Sequence, residues 1–195
     1  SGYGASKVAL WLTLFDITGE VLADWCEEQI PGVSTIKIDS AEVRRHFGLP
    51  AFTGQLFVHA TGAAGHDVVK YALDTYGDDG LSLSCTHDAN AWPADLFAGL
   101  PAPRADERVI LWVQNSHPRE IPAKAVGLNE MGSPEIAWLD RTIPAFASYP
   151  LDVSTLLPEL RWPSQIEIQA GRHFVRPRYE VIRQSGRRRI AHPNV

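Results

Sequence analysis

One block occurs twice in this 195-residue sequence. It first reads IKIDSAEVRRHFGL at residues 36–49 and GQLFVHA at residues 54–60. It returns as YPLDVSTLLPEL at residues 149–160 and SQIEIQA at residues 164–170. In both copies a β-rich run ends at an acid, Asp39 or Asp152, that can cap a helical turn, and a second strand-like run follows. The block therefore predicts a strand, a capped turn and a further strand in each half of the chain.

The residues around the two copies also correspond in order. VALWL at residues 8–12 is echoed by VILWV at residues 109–113, which gives Trp11 and Trp112 equivalent places that we predict to be core. Short β-rich runs separated by turn signals such as DITGE at residues 16–20 fill much of the rest. We therefore predict an all-β fold of two tandem, related antiparallel β-sandwich units, each with one short helical turn.

The join between the two predicted units is rich in proline. Pro93, Pro101 and Pro103 interrupt the strand pattern there. We predict a first sandwich over residues 1–91 and a second over residues 108–195. Residues 92–107 form the predicted linker, and its apolar residues predict that it packs along the body of the protein.

Composition indicates a soluble globular protein, with 45% hydrophobic and 21% charged residues. No apolar run reaches the roughly 18 residues of a membrane span, so none is predicted. Residues 1–100 carry five Lys/Arg against thirteen Asp/Glu (−8), and residues 101–195 carry thirteen against ten (+3). Opposite charge on the two halves favours their association, within or between molecules, whereas the overall acidic balance does not predict nucleic-acid binding.

The two cysteines, Cys26 and Cys85, bear on the compartment. They could form a single disulfide. The favoured interpretation is that both are free, partly buried thiols in a reducing compartment. We accordingly predict a cytoplasmic location.

The repeated block resembles the sensory-rhodopsin-transducer-like bacterial β-sandwich family. The likeness lies in Ile38-Asp39 with LFV at residues 56–58, and in Leu151-Asp152 with IEI at residues 166–168. This resemblance implies an oligomeric, non-enzymatic binding or scaffold protein. No ligand residues are carried over, because no diagnostic motif matches.

Strong signatures of catalysis are missing from the sequence. There is no G-x-S-x-G, phosphate-binding loop, H-E-x-x-H or C-x-x-C motif, and no cofactor or metal is predicted. Seven histidines nevertheless leave a dispersed metal site open. His59, His66 and His87 would contribute to it, so a metal-dependent enzyme is the second alternative function.

A carbohydrate-binding module is the first alternative. Four polar residues lie at equivalent ends of the two copies, and two tryptophans lie in or near loops, where a ring can stack on a sugar. A purely structural role in ending the strands is the favoured interpretation of the polar residues. The candidate sugar-binding residues are His87, Asn90, His192, Asn194, Trp92 and Trp162.

The leading hypothesis is a non-catalytic protein that acts by binding another protein or by assembly into a homo-oligomer. Phe57 lies in the outward row of its strand, where the second copy has Glu167. Arg176 and Arg178 belong to a basic strand near the C-terminal end. We therefore predict an interface that involves Phe57, Arg176 and Arg178.

Overall fold

The protein is an all-β structure that divides into two compact units. The computed structural model describes residues 8–30, 34–61, 72–77, 80, 83–87, 96–169 and 175–191. Within these residues, thirteen strands are joined by one eight-residue helix and one four-residue helical turn. The units are Ser1–Lys70 and Tyr71–Val195. No helix in the described ranges is both long and apolar enough to cross a membrane.

The first unit is a three-stranded antiparallel sheet with one helix. It contains β1 (Val8–Asp16), β2 (Val21–Ile30), α1 (Ser40–Phe47) and β3 (Gly54–Thr61), and the strand order is β2-β1-β3. The turn between β1 and β2 forms because the Asp16 carboxylate accepts hydrogen bonds from the backbone N–H groups of Thr18 (2.8 Å) and Glu20 (3.0 Å).

Helix α1 is terminated at both ends, and its start at Asp39 is as the sequence predicts. Asp39 Oδ1 accepts from the backbone N–H of Ala41 at 2.9 Å, and Gly48 ends the helix with φ at 66°. The Phe47 ring then packs on Trp25, with ring centroids 5.5 Å apart. Because Trp25 is opposite Leu12 in the sheet, α1 lies against the same face as that buried leucine.

The second unit contains a β-sandwich. One sheet has the strand order β10-β7-β12-β13 and the other has β6-β11-β8-β9, while β4 and β5 form a hairpin. The Ser84 hydroxyl of β5 accepts a hydrogen bond from the backbone N–H of Ile190 in β13 at 3.1 Å. This bond joins the hairpin to the β10-β7-β12-β13 sheet. The elements are β4 (Ala72–Tyr76), β5 (Leu83–His87), β6 (Leu96–Leu100), β7 (Glu107–Asn115), β8 (Val126–Glu130), β9 (Ala137–Trp138), β10 (Ser148–Asp152), α2 (Val153–Leu156), β11 (Ser164–Ile168), β12 (Val175–Arg183) and β13 (Arg188–Ala191).

Alternation along the strands builds the core between these two sheets. In β11, Ile166 and Ile168 are buried while Gln165 and Glu167 are half-buried, so the aliphatic residues face inward. They meet Leu111 and Val113 of the opposite sheet in one continuous apolar cluster. Asp152 caps α2 by accepting a hydrogen bond from the backbone N–H of Ser154 at 3.1 Å, as predicted.

Several sequence predictions differ from the structure. Residues 34–39 form no strand, and Ile36 and Ile38 are exposed. The predicted linker contains strand β6, because apolar Leu100 and Phe97 pack on the core and pair with β11. The predicted boundary at residues 91/92 falls inside the second unit.

The tandem duplication is not confirmed. The proposed match equates β1 with β7 and β3 with β11. However, β3 pairs directly with β1, whereas β7 pairs with β10 and β12, and β11 belongs to the other sheet of its sandwich. The two local patterns are therefore alike while their pairing differs.

Candidate functional site

An aromatic surface covers the side of the first sheet opposite to the leucine row. Trp11 of β1 stands opposite Cys26 of β2 and His59 of β3, and Thr13 stands opposite Phe57. Opposed residues of antiparallel strands share a face, and residues two apart on one strand share it too. We call the surface formed by Trp11, Thr13, Cys26, Phe57 and His59 the aromatic face.

The aromatic face is exposed to an unusual degree for its composition. Trp11 is 52% exposed, Phe57 is 36% exposed, and His59 is exposed. On the other side of the same strand, Leu10, Leu12 and Leu14 are buried. The sheet thus buries one apolar side and presents a second one, which is the usual mark of an interaction surface.

Acidic residues border the aromatic face along the edge strand β2. Asp24 stands opposite Thr13, and Glu28 follows two residues after Cys26; both acids are exposed, whereas exposed Glu27 stands opposite Leu10, on the leucine side. Partial burial, together with the nearby charges of Glu28 and Glu27, raises the pKa of the Cys26 thiol above its ordinary value of 9.0. The border of the face therefore favours a positively charged partner.

The same shift argues against chemistry at this cysteine. A thiol is nucleophilic as its thiolate, and a raised pKa keeps Cys26 protonated at neutral pH. Cys85 of the second unit behaves alike, because a hydrogen bond with Asp74 raises the pKa of its thiol. Both cysteines are free, as the sequence analysis favoured.

A metal centre is not formed by the described residues, among which no group of three or more His, Cys, Asp or Glu side chains lies close enough to hold an ion. His59 is an exposed residue of β3. His66 and the side chain of His87 lie outside the described part of the chain.

The remaining predicted sugar and interface residues are dispersed. Trp162 is 69% exposed in the loop before β11, next to exposed Met131, whose backbone N–H donates to Pro163 O at 3.4 Å. Arg178 is a half-buried residue of β12, where it stands opposite Trp112. Four further candidates and one further side chain lie outside the described residues: Asn90, Trp92, His192 and Asn194, and the side chain of Arg176.

The basic region near the C-terminal end lies on the β12–β13 hairpin. Arg183 pairs with Glu107 at 3.2 Å, and Arg188 pairs with Glu180 at 3.4 Å. Arg187 and Arg189 are exposed. This hairpin therefore presents guanidinium groups on the second unit, whereas acids border the aromatic face of the first.

Trp11 is the residue that sequence reasoning missed, since it was predicted to be core. The alternation of residues along β1 indicates its position. Leu10, Leu12 and Leu14 occupy one side of the strand, so Trp11 lies on the opposite side. Trp112 is half-buried, and its Nε1–H donates to Glu180 Oε2 at 3.1 Å. The two tryptophans that seemed equivalent thus have different environments.

No protein-family model, curated protein or solved structure matches this chain. Its function is therefore inferred from the chemistry of its own surfaces.

Proposed function

We propose that this protein is a non-catalytic binding and assembly protein, and that the aromatic face is its docking surface. The observation that carries this proposal is Trp11, half of whose surface is exposed in the middle strand of a sheet. Tryptophan at the centre of an interface is among the residues that contribute most to binding, often about 2 kcal/mol or more. The raised pKa values of Cys26 and Cys85 argue against these two thiols as nucleophiles.

The size of the aromatic face limits the affinity. Nine residues of β1 span about 30 Å and three strands span about 14 Å, so the whole side of the sheet measures about 400 Å² and the aromatic face is smaller. A standard interface buries about 800 Å² on each partner. We therefore expect weak, concentration-dependent association, with the charged border adding to the contact.

We propose a second copy of this chain as the partner. Exposed Arg187 and Arg189 complement exposed Asp24 and Glu28 beside the aromatic face. Such a contact joins two different surfaces, so it is head-to-tail and can continue from one copy to the next. The resemblance to the sensory-rhodopsin-transducer-like family, which implies oligomeric binding proteins, agrees with this proposal and stays a prediction. We also propose a reducing, cytoplasmic setting, supported by the two free thiols.

Light scattering over a concentration series tests the assembly. The mass of one chain is 21.5 kDa, and head-to-tail association predicts an average mass that rises past twice this value without a plateau at the dimer. Trp11→Glu should weaken association by about thirtyfold, which corresponds to about 2 kcal/mol. Trp162→Glu is the matched control, because it changes an exposed tryptophan outside the aromatic face.

Charge reversal tests the partner surface. Asp24→Arg with Glu28→Arg should prevent self-association, and so should Arg187→Glu with Arg189→Glu. An equimolar mixture of these two double variants should associate again, because each reversed surface then meets a complementary one. A wild-type mass that stays at 21.5 kDa at every concentration would refute self-assembly. Failure of the mixture to associate would refute the basic hairpin as the partner surface.

A further inference from the structure

A row of polar side chains lies on the outer side of the β6-β11-β8-β9 sheet. Along β11 and the residue after it, Gln165, Glu167 and Gln169 alternate with the buried residues Ile166 and Ile168. Their side chains therefore lie on the side of the sheet that faces away from the core. Gln169 Nε2 donates to Glu167 Oε1 at 2.9 Å, so two of the three polar side chains are joined by a hydrogen bond. We call Gln165, Glu167 and Gln169 the β11 strip.

Apolar groups border the β11 strip on both sides. Glu167 stands opposite Leu96 of β6 and Gly127 of β8, and Gly127 stands opposite Trp138 of β9. These four residues form one row across the sheet. Leu96 is 47% exposed and Trp138 is half-buried.

Gly127 leaves room for the Trp138 ring on the strand next to β11. A Cβ atom added at Gly127 would lie 2.7 Å from Trp138 Cε3 and 2.5 Å from Ile136 Cγ2. The ring therefore lies over the glycine backbone, in space that any other side chain would fill. Neighbouring strands are about 4.8 Å apart, so the ring lies beside the carboxylate-bearing strand.

One buried polar group beside the strip has an acceptor that the described part of the protein does not use. Asn129 stands opposite Gln165, and its Nδ2 donates to Ser133 O at 3.0 Å. Asn129 is more than nine-tenths buried, and among the described residues its Oδ1 has no hydrogen-bond partner. This acceptor is out of contact with solvent and lacks the partner that buried polar groups usually have.

We infer that the β11 strip with Trp138 binds a neutral oligosaccharide. A sugar ring offers hydroxyl groups at its rim and C–H groups on its faces. The amides and the carboxylate of the strip supply donors and acceptors for the hydroxyls, and an indole ring packs against the C–H face. From residue 165 to residue 169 the strip spans about 13 Å, which suits a short oligosaccharide better than a monosaccharide.

The charge of the strip decides against two other ligands. Glu167 is its one carboxylate and it has no cation, so phosphate groups of a nucleic acid would be repelled. A single carboxylate is also too few ligands for a calcium site. Acidic oligosaccharides should be rejected for the same electrostatic reason as phosphate.

This site differs from the loop residues that the sequence suggested for sugar binding. Trp162 belongs to the loop before β11, and the strip begins after Ser164. The two tryptophans therefore provide a matched comparison. The inference goes beyond the assembly proposed above, because it concerns the outer sheet of the second unit and none of the residues of the aromatic face.

Binding should be measured with an array of immobilised glycans, followed by titration calorimetry with the soluble oligosaccharides that are retained. The panel should contain neutral β-1,4-linked glucose, xylose and N-acetylglucosamine oligomers, α-1,4-linked glucose oligomers and acidic galacturonate oligomers. We expect a neutral oligomer to bind and the galacturonate oligomers not to bind. Glu167→Gln should reduce this discrimination against the acidic oligomers.

Variants locate the site. Trp138→Ala should weaken binding by about tenfold or more, the loss expected when a packed aromatic ring worth about 1.5 kcal/mol is removed. Gln165→Ala, which leaves the Trp138 ring in place, should also weaken binding, and it keeps the test valid if Trp138→Ala does not fold. Trp162→Ala should leave the affinity within about twofold of the wild type.

Three results would overturn this inference. The first is the absence of any retained glycan on the array. The second is loss of binding in Trp162→Ala with unchanged binding in Gln165→Ala, which would place the sugar at the loop. The third is preferred binding of the galacturonate oligomers. None of these results bears on the assembly through Trp11, so the two proposals fail separately.

Discussion

Asn115 offers the sharpest test of how one end of the sandwich is held together. Its side chain is fully buried at the end of β7. Nδ2 donates to Arg119 O at 2.7 Å and to Pro144 O at 2.9 Å, and Oδ1 accepts from the backbone N–H of His117 at 3.0 Å. One amide therefore joins the loop that follows β7 to the loop that precedes β10.

Asn115→Ala removes these three bonds and a longer one from Nδ2 to Ile143 O at 3.4 Å, and it leaves their partly buried backbone partners without this amide. At about 1 kcal/mol for each bond, the second unit should lose about 3 kcal/mol of its free energy of unfolding. Asn115→Asp should be at least as unstable at neutral pH. Its carboxylate would face the carbonyl oxygens of Arg119 and Pro144 without a proton to donate.

Asn129→Ala is the control for this prediction. Asn129 is also buried, but its side chain makes one described hydrogen bond, to Ser133 O. Its replacement should cost about 1 kcal/mol. Urea unfolding combined with peptide-resolved hydrogen exchange would assign each loss to the second unit. Equal losses for Asn115→Ala and Asn129→Ala would contradict the account of a three-bond junction.

Three further changes test the first unit and one strained residue. Asp39→Ala should lower the unfolding midpoint of the first unit at neutral pH. The hydrogen bond from Lys37 and those from the backbone N–H groups at the start of α1 hold the pKa of Asp39 below 3.8. Its contribution to stability is therefore lost as the pH falls through the folded-state pKa, and the difference between variant and wild type should vanish in acid. Thermal scans at several pH values measure this. Gly54→Ala should destabilise the first unit by about 2 kcal/mol or more, since the new Cβ would lie 1.9 Å from the backbone oxygen of Phe15. Gly48→Ala should cost only about 1 kcal/mol, because φ is 66° there but nothing lies within 4 Å of the new Cβ. Urea unfolding measures both losses. Lys124→Gly should raise the stability of the second unit by about 0.5 kcal/mol, because φ at 63° strains a residue with a side chain; a lower urea midpoint would count against this.

Local features of the fold could be predicted from the sequence. Asp39 and Asp152 cap their helical turns because the hydrogen bonds involved reach only two or three residues along the chain. The outward and inward rows of β11 follow from alternation alone, as Ile166 and Ile168 show. Each of these patterns is satisfied by neighbours in the sequence, so no knowledge of distant partners is needed.

Pairing and exposure could not be predicted in the same way. Leu100 lies among prolines, and it becomes a strand residue only because β11 offers a partner that is distant in sequence. Ile36 and Ile38 have a strand-like pattern but are exposed, because no described strand pairs with them. The exposure of Trp11 depends on where α1 packs, which the sequence of β1 does not contain.

Salt provides an independent check on the charged border of the aromatic face. Raising the salt from about 0.1 M to about 1 M shortens the Debye length from about 10 Å to about 3 Å. Association through Asp24, Glu28 and the arginine hairpin should therefore weaken. An average mass that is equal at both salt concentrations, at one protein concentration, would contradict the electrostatic part of the contact.

The most direct test of the central proposal uses the two cysteines of the chain. Cys26 lies beside Trp11 on the aromatic face, and exposed Cys85 belongs to the second unit. Alkylation rates of both thiols, measured by mass spectrometry at one alkaline pH over a range of protein concentrations, compare the two sites in a single sample. If the aromatic face is the docking surface, the rate at Cys26 falls as the concentration rises while the rate at Cys85 changes little. Rates that stay in a constant ratio across all concentrations would contradict assembly through the aromatic face.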